Sequence, residues 1–386
     1  MGFLSGRVTF SRLRVAPPGP GIFGPDHLKA LSAHAAGKQR IAAADGIEVG
    51  WAAGDHILDT RFDLAKNIIN DALLFAMRVD TQKLPADLQR AYFQIELEAL
   101  VGSDPEAKPS SRQKKEAKEA AMARLDQEAK DGRFVKRKHI PVMWDAKSNE
   151  LLVGSTSATA IEQMQSLFER SFDIGFEAVT AGRLAYRLAE MRKQTRNVDD
   201  AAPSVFVPGF SPADVAWIPD QDSRDFLGNE FLLWLWYILE RDEGEIKLAD
   251  DSVATVLLSR SLTLECPRGQ TGHETISSEG PTRLPESRRA IRAGKLPRKM
   301  GMTIVRHDSQ YDLALQAEIL AVGSARLPPP EEEQVRPRHE ARIDQIRHLI
   351  ETLDLLYDAF GQVRCSEQWS KELGKIQKWL TTEKSG

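Results

Sequence analysis

Lys108–Lys138 reads KPSSRQKKEAKEAAMARLDQEAKDGRFVKRK and carries eleven Lys or Arg against five Asp or Glu. Ser110 followed by Gln113 has the S-x-x-Q form of a capping box, with Pro109 blocking any helix further back. Gly132 supplies a stop, so the spacing predicts roughly 21 helical residues, about 31 Å at 1.5 Å per residue. The apolar line is thin: Ala117, Ala121, Leu125 and Ala129. A helix that polar projects from a core rather than lying in one. Internal pairs (Lys115–Glu119, Arg124–Glu128, Asp126–Lys130) would make it a solvated rod. The alternative is an arm that grips an anionic polymer, with Arg133, Lys136, Arg137 and Lys138 at its base.

On either side of this stretch the pattern changes to strands. Before it, Phe75, Met77 and Val79 face one side of a strand and Leu74, Ala76 and Arg78 the other. Pro85 then starts a helix with Leu88, Ala91/Tyr92, Ile95 and Ala99 expected along one face. After it, His139 to Trp144 and Glu150 to Gly154 form a β-hairpin. An amphipathic helix from about Ser157 and a short strand from Phe176 to Val179 follow. The class is therefore α+β: an antiparallel-sheet central domain, an inserted helical-hairpin arm and a helical C-terminal region.

The rest of the chain fits around that frame. Gly6 to Val15 alternates as a first strand. Gly19, Gly21 and Gly24 spell G-x-G-x-x-G, but prolines 18, 20 and 25 suit a rigid loop better than a dinucleotide turn. Leu227 to Glu240 is apolar all round and reads as a buried helix. A second basic run covers Arg288, Arg289, Arg292, Lys295, Arg298 and Lys299 and reads as an anion-binding face. Ile343, Ile346, Ile350, Leu353, Tyr357 and Phe360 form a heptad seam, facing either the chain's own core or a second subunit. The expected division is 1–84 with 138–190 as the central domain and 85–137 as the arm. Residues 191–265 are a linker with a Trp-rich insertion, and 266–386 a basic C-terminal domain for dimerisation.

Composition narrows the function classes. The chain has 386 residues, 41% hydrophobic and 28% charged, with a net charge of −4. Any nucleic-acid role must therefore come from local patches. Two cysteines, Cys266 and Cys365, make no disulfide framework and suit a reducing cytosol. The longest apolar run, Phe231 to Leu239, is far short of the roughly 20 residues that span a bilayer, so no membrane partner is expected. No HExxH, GxSxG, GxxxxGK[ST] or paired CxxC is present. Cys266 and His273 are at most half a zinc site, and neither metal nor cofactor is expected. Pro219-Asp220 and Glu245-Ile246-Lys247 have the form of a PD…(D/E)xK metal-dependent nuclease motif. There Asp220 and Glu245 would hold Mg²⁺ and Lys247 would orient a water.

Several stretches resemble the bacterial recombination-associated protein RdgC family. They are Gly50-Trp51 followed by Asp55, the strand ALLFAMRVDTQKLP, and the lysine-rich helix ending near Arg133-Phe134. The hairpin MWDAKSNELLVGSTSA, Ala293-Gly294-Lys295 and the terminal helix HLIETLDLLYDAF also match. The resemblance covers about two-thirds of the chain; Ala201 to Gly280 departs from it. It implies a non-enzymatic, sequence-tolerant binder of double-stranded DNA in the cytoplasm, associated with the nucleoid. It further implies a ring-shaped homodimer that restrains a RecA-type recombinase and so modulates DNA recombination. The expected phosphate contacts are Arg112, Lys114, Lys115, Lys118, Lys136, Arg137, Arg292, Lys295, Arg298 and Lys299. The expected dimer contacts are Phe134, Ile346, Ile350, Leu353 and Tyr357. The alternatives are the nuclease and a protein-interaction scaffold without nucleic acid.

Overall fold

The computed structural model describes residues 2–38, 46–102, 108–207, 215–220, 222–241, 244–268 and 272–382. The first strand, β1 (Val8–Val15), is followed by α1 (Pro25–Ala33), β2 (Ile47–Ala52), α2 (Leu64–Asn67), β3 (Ile68–Ile69) and β4 (Ala72–Gln82). The arm comprises α3 (Ala86–Val101) and α4 (Ser111–Ala129). The chain re-enters the sheet as β5 (Val135–Asp145) and β6 (Glu150–Val153), then α5 (Ala158–Phe172), β7 (Phe176–Ala178), α6 (Ala181–Met191) and α7 (Thr195–Asp199). The Trp-rich helix α8 (Phe226–Arg241) leads into β8 (Glu245–Lys247), β9 (Val253–Glu265) and β10 (Glu274–Ser278). Then come α9 (Pro285–Arg292), β11 (Leu296–Arg306), β12 (Ser309–Gln316) and β13 (Val322–Arg326), with α10 (Val335–Arg364) and α11 (Trp369–Thr381) last. The α+β class, the large antiparallel sheet and the helical C-terminal region are all present.

Ten strands join in one path, β10-β9-β11-β12-β13-β1-β6-β5-β4-β2, and β3, β7 and β8 pair beside it with β4, β1 and β9. The junction is β1. Val8 and Phe10 pair with β13, whereas Ser11 to Arg14 pair with β6. One strand thus belongs to two sheet halves, and residues at its two ends enter different cores. Leu13 and Val15 pack with Trp51, Phe75, Trp144 and Phe168 under α1 and α5. Phe10 packs instead with the larger core built on α6, α8, α10 and β11. The alternation expected in β4 holds: Phe75, Met77 and Val79 lie in the first core and Leu74 in the second.

Helix α10 is the spine. At 30 residues it is about 45 Å long. Near its middle Arg347 hydrogen-bonds Asp145 Oδ1 in β5 at 3.0 Å through Nε. The next residue, His348, meets Tyr311 of β12, and further on Tyr357 donates to Ala181 O at 2.9 Å. Between the halves, buried Arg12 of β1 bonds Glu150 at 2.9 Å and Asp354 of α10 at 2.5 Å, and Arg187 of α6 joins the same two carboxylates. Each charge in this cluster has an opposite neighbour, which offsets the cost of burying it.

Residues 191–265 are not a linker with an insertion. The Trp-rich α8 is buried, as its composition predicts, but β8 and β9 are members of the sheet, and β9 lies between β10 and β11. The Pro-rich stretch ahead of α8 is anchored too. Ser204 accepts from Trp369 Nε1 at 2.9 Å, and Ala202 O accepts from Arg364 at 2.6 Å. The physical reason is that β8 pairs with β9 and β9 with β10 and β11, while the Pro-rich stretch is held by Arg364 and Trp369 more than 160 residues away.

Candidate nucleic-acid interface

The arm is built as its cap and seam predict. Ser110 Oγ accepts from Gln113 N at 3.2 Å, while Gln113 Oε1 accepts from Ser110 N at 2.9 Å. Ala117, Ala121, Leu125 and Ala129 are the buried side chains of α4, and their small size lets α3 approach closely. Tyr92 of α3 donates to Glu128 at 2.6 Å and takes Arg124 over its ring at 4.2 Å. That hydrogen bond holds the Tyr92 phenol above its usual pKa. Gln113 Nε2 closes the tip on Leu100 O at 3.0 Å. Within α4 only one expected pair forms as written, Lys115–Glu119 at 3.9 Å. Arg124 reaches across to Glu96 at 3.8 Å, and Lys130 bonds Gln127 rather than Asp126. One of the two substitute partners lies on α3 and the other within α4.

The face of α3 is only partly the one expected: Leu88 and Tyr92 of the expected line are half-buried, and the rest of it is outside. Tyr92 turns inward, whereas Ile95 is 49% and Leu100 37% exposed, with Ala91 and Ala99 also outside. No residue of α3 is fully buried.

Among the expected phosphate contacts, Arg112, Lys114 and Lys118 are exposed and have no ion pair among the described residues. Lys115 is exposed beside Glu119. Lys136 lies opposite Thr81 and Lys138 opposite Val79, so both project from one face of the β4–β5 ribbon. Both are exposed. Arg137 lies on the other face, 3.6 Å from Asp80, which Arg78 already engages at 2.9 Å. Lys138 belongs with Lys136 and was missing from the expected contacts; the period-two alternation of Lys136-Arg137-Lys138 is the signal for it. Phe134 is half-buried at the arm's base, where its carbonyl accepts from Lys83 N at 3.2 Å.

The second basic run is corrected. Lys295 is 7% exposed and bonded to Glu274. Arg298 is 2.6 Å from both Glu265 and Glu318 and stacks on Trp217 at 4.5 Å. Arg292 donates to Leu380 O at 2.7 Å and Thr382 O at 3.0 Å. Their charge is spent inside the fold, on partners that linear charge counting does not see. Lys299 alone of these four is fully exposed, on the open face of β11.

The expected subunit seam is corrected in the same way. Ile346 is 0%, Tyr357 1% and Leu353 6% exposed, all within the chain's own core, and Ile350 packs against that core. The nuclease motif is not assembled as a cluster. Its halves flank opposite ends of α8, a 16-residue helix about 24 Å long. Lys247 pairs with Asp251 at 3.0 Å, and no group of three His, Cys, Asp or Glu placed to hold a metal occurs among the described residues. No helix among the described residues is long and apolar enough to cross a membrane. Compared with models of protein families and with curated proteins, the chain matches none.

Proposed function

We propose that this protein binds double-stranded DNA through the arm and the ribbon beneath it, without reading sequence. It acts as a homodimer that encircles the duplex and restrains a RecA-type recombinase at the nucleoid. The observation that carries this is the set of unpaired cations on the arm. Arg112, Lys114 and Lys118 on α4 and Lys136 and Lys138 on β5 are exposed with no carboxylate partner among the described residues. In a chain of net charge −4, most other cations in the candidate patches are neutralised by specific neighbours. Mobile lysines on a rod match a polyphosphate because they need no fixed geometry, only counterion release. The resemblance to the RdgC family supplies the ring and the recombinase.

The test is a gel shift on duplex DNA across about 50 to 200 mM salt, where affinity falls steeply and varies little with sequence. Reversing Arg112, Lys114 and Lys118 to Glu removes six cations from the dimer, lowers affinity and takes roughly five units from the log–log salt slope, at about 0.9 per phosphate contact. These positions are on a solvated face, so the melting temperature stays close to that of the parent. Binding that is flat with salt, or unchanged in the triple variant, overturns the proposal.

A further inference from the structure

Strands β9, β11, β12 and β13 turn Val256, Met302, Leu313 and Val322 into the larger core. Side chains alternate along a strand, so their neighbours project from the opposite side of the sheet. That side is bare. Leu257 stands 58% exposed on it, and Lys299 and Arg326 are exposed as well. Lys299 lies in one row with Thr263 and Gln316, both half-buried.

The carboxylates on this side are already engaged. Asp312 accepts from Arg260 and from Thr303 Oγ1, each at 2.8 Å, and Glu265 is 2.6 Å from Arg298. Lys299 and Arg326 have no ion pair among the described residues. Val8 of β1 pairs with Ala325, which puts Arg7 beside Arg326. Arg7 is exposed and likewise has no ion pair among the described residues. Two like charges side by side on neighbouring strands repel, and an anion brought to them relieves that repulsion.

The bare face is continuous with the ribbon beneath the arm. Ser11 of β1 pairs with Val153, and Val153 with Val142 of β5, so Ser11 and Val142 are level. The two strands run the same way, and four residues back along each, Arg7 is level with Lys138. Alternation puts both on the side of Leu13 and Trp144. Two strand spacings separate them, roughly 10 Å. Chemistry then chooses the occupant. Tyr311, the one aromatic residue in β9 to β13, is in the core, so no ring offers a platform for unpaired bases. Exposed cations interleaved with hydroxyls and an amide suit the phosphate oxygens of a backbone instead. We propose that the duplex held by the arm continues from Lys138 over Arg7 and Arg326 onto the bare sheet, as far as Lys299. This path rests on the arm's role in binding DNA.

Salt titration of duplex binding tests the path. Arg7→Gln, Lys299→Gln and Arg326→Gln together remove six cations from the dimer. The log–log salt slope then falls by roughly five units, at about 0.9 per phosphate contact. Lys193→Gln, Lys371→Gln and Lys378→Gln remove the same charge from exposed positions at α6 and α11, on the helix-covered side, and leave the slope at its parent value. All six side chains are exposed, so circular dichroism and the melting temperature match the parent in both variants. Parent binding that is flat with salt removes the path and the arm's role together. A slope that falls on reversing Arg112, Lys114 and Lys118 but not in the Arg7–Lys299–Arg326 variant overturns the path alone. So does an equal loss in the Lys193–Lys371–Lys378 variant, or a loss confined to single-stranded DNA.

Discussion

At the scale of single residues, His348 is a group whose protonation state the fold dictates. Its Nδ1 shares a hydrogen bond with the Tyr311 hydroxyl at 2.7 Å, and its Nε2 is buried without a partner. The ring of His307 lies 5.8 Å away. Burial first, then the charge of Arg306 and the neighbouring His307, hold its pKa below the usual value, with Glu351 opposing weakly. His27, His139 and His339 are depressed as well, mainly by burial. The unfolded chain binds these protons more readily than the folded one, so stability is complete above the ordinary histidine pKa and is lost as pH falls below it. The paired carboxylates Asp59, Glu150 and Asp312 are lowered, and Asp250 sits at about 2, so their contribution fades only at more acidic pH. The melting temperature should therefore begin to fall between about pH 7 and pH 5.5, before these four paired carboxylates titrate. His348→Gln keeps a polar partner for Tyr311 and should flatten part of that fall. An identical slope in the variant and the parent would remove His348 from the account.

At the scale of elements, the arm shows what linear pattern reveals and what it hides. The capping box at Ser110 and the buried line Ala117–Ala129 were legible because a cap is local and an every-fourth-residue line has only one face. Helix α3 was legible only in part. Its apolar residues lie all around it, and Tyr92 is held inward by Glu128 and Arg124, about 30 residues away, while Ile95, expected on the same face, is left outside. The basic run at 292–299 misled for a related reason. Burial of Lys295 is set by Glu274 on a neighbouring strand, and a run of one sign in sequence says nothing about which carboxylates the fold brings to it. With the α10 seam consumed internally, the exposed Ile95 and Leu100 are the arm's own candidates for a subunit contact, in the manner of the helix pairs that bury apolar stripes on one another. Ile95→Asp puts a charge in the middle of that stripe without touching the α3–α4 seam. It should shift the protein from dimer to monomer by light scattering, with its helical content unchanged. A dimer that persists at the same concentration would place the contact elsewhere, for instance at Phe134.

At the scale of the molecule, β1 and α10 bind two cores into one unit. A division into a central domain, a linker and a C-terminal domain was reasonable from composition, since a Pro-rich stretch from 191 onward separates two apolar regions. The chain defeats that division by returning. Strand β13, near residue 325, pairs with the start of β1, and α10 then runs back over both sheet halves from Asp145 to Ala181. Contacts separated by more than 300 residues, such as Arg342 Nε to Phe3 O at 2.7 Å, close the circuit. Neither half can open without exposing apolar residues of the other's core or stranding the buried Arg12–Glu150–Asp354 charges, and an unpaired buried charge of that kind costs about 3–5 kcal/mol. Unfolding should therefore be a single cooperative event. Hydrogen exchange followed by mass spectrometry across a urea series would show it. Peptides from β4 and β5, under α5, and peptides from α8 and β11, in the larger core, should lose protection at the same midpoint, while the arm helices α3 and α4 exchange earlier because they are held by one seam. Glu150→Gln, by weakening the charge cluster at the junction, should lower both core midpoints together. Separate midpoints for the two cores in the parent protein would mean that β1 and α10 connect two domains rather than fuse them.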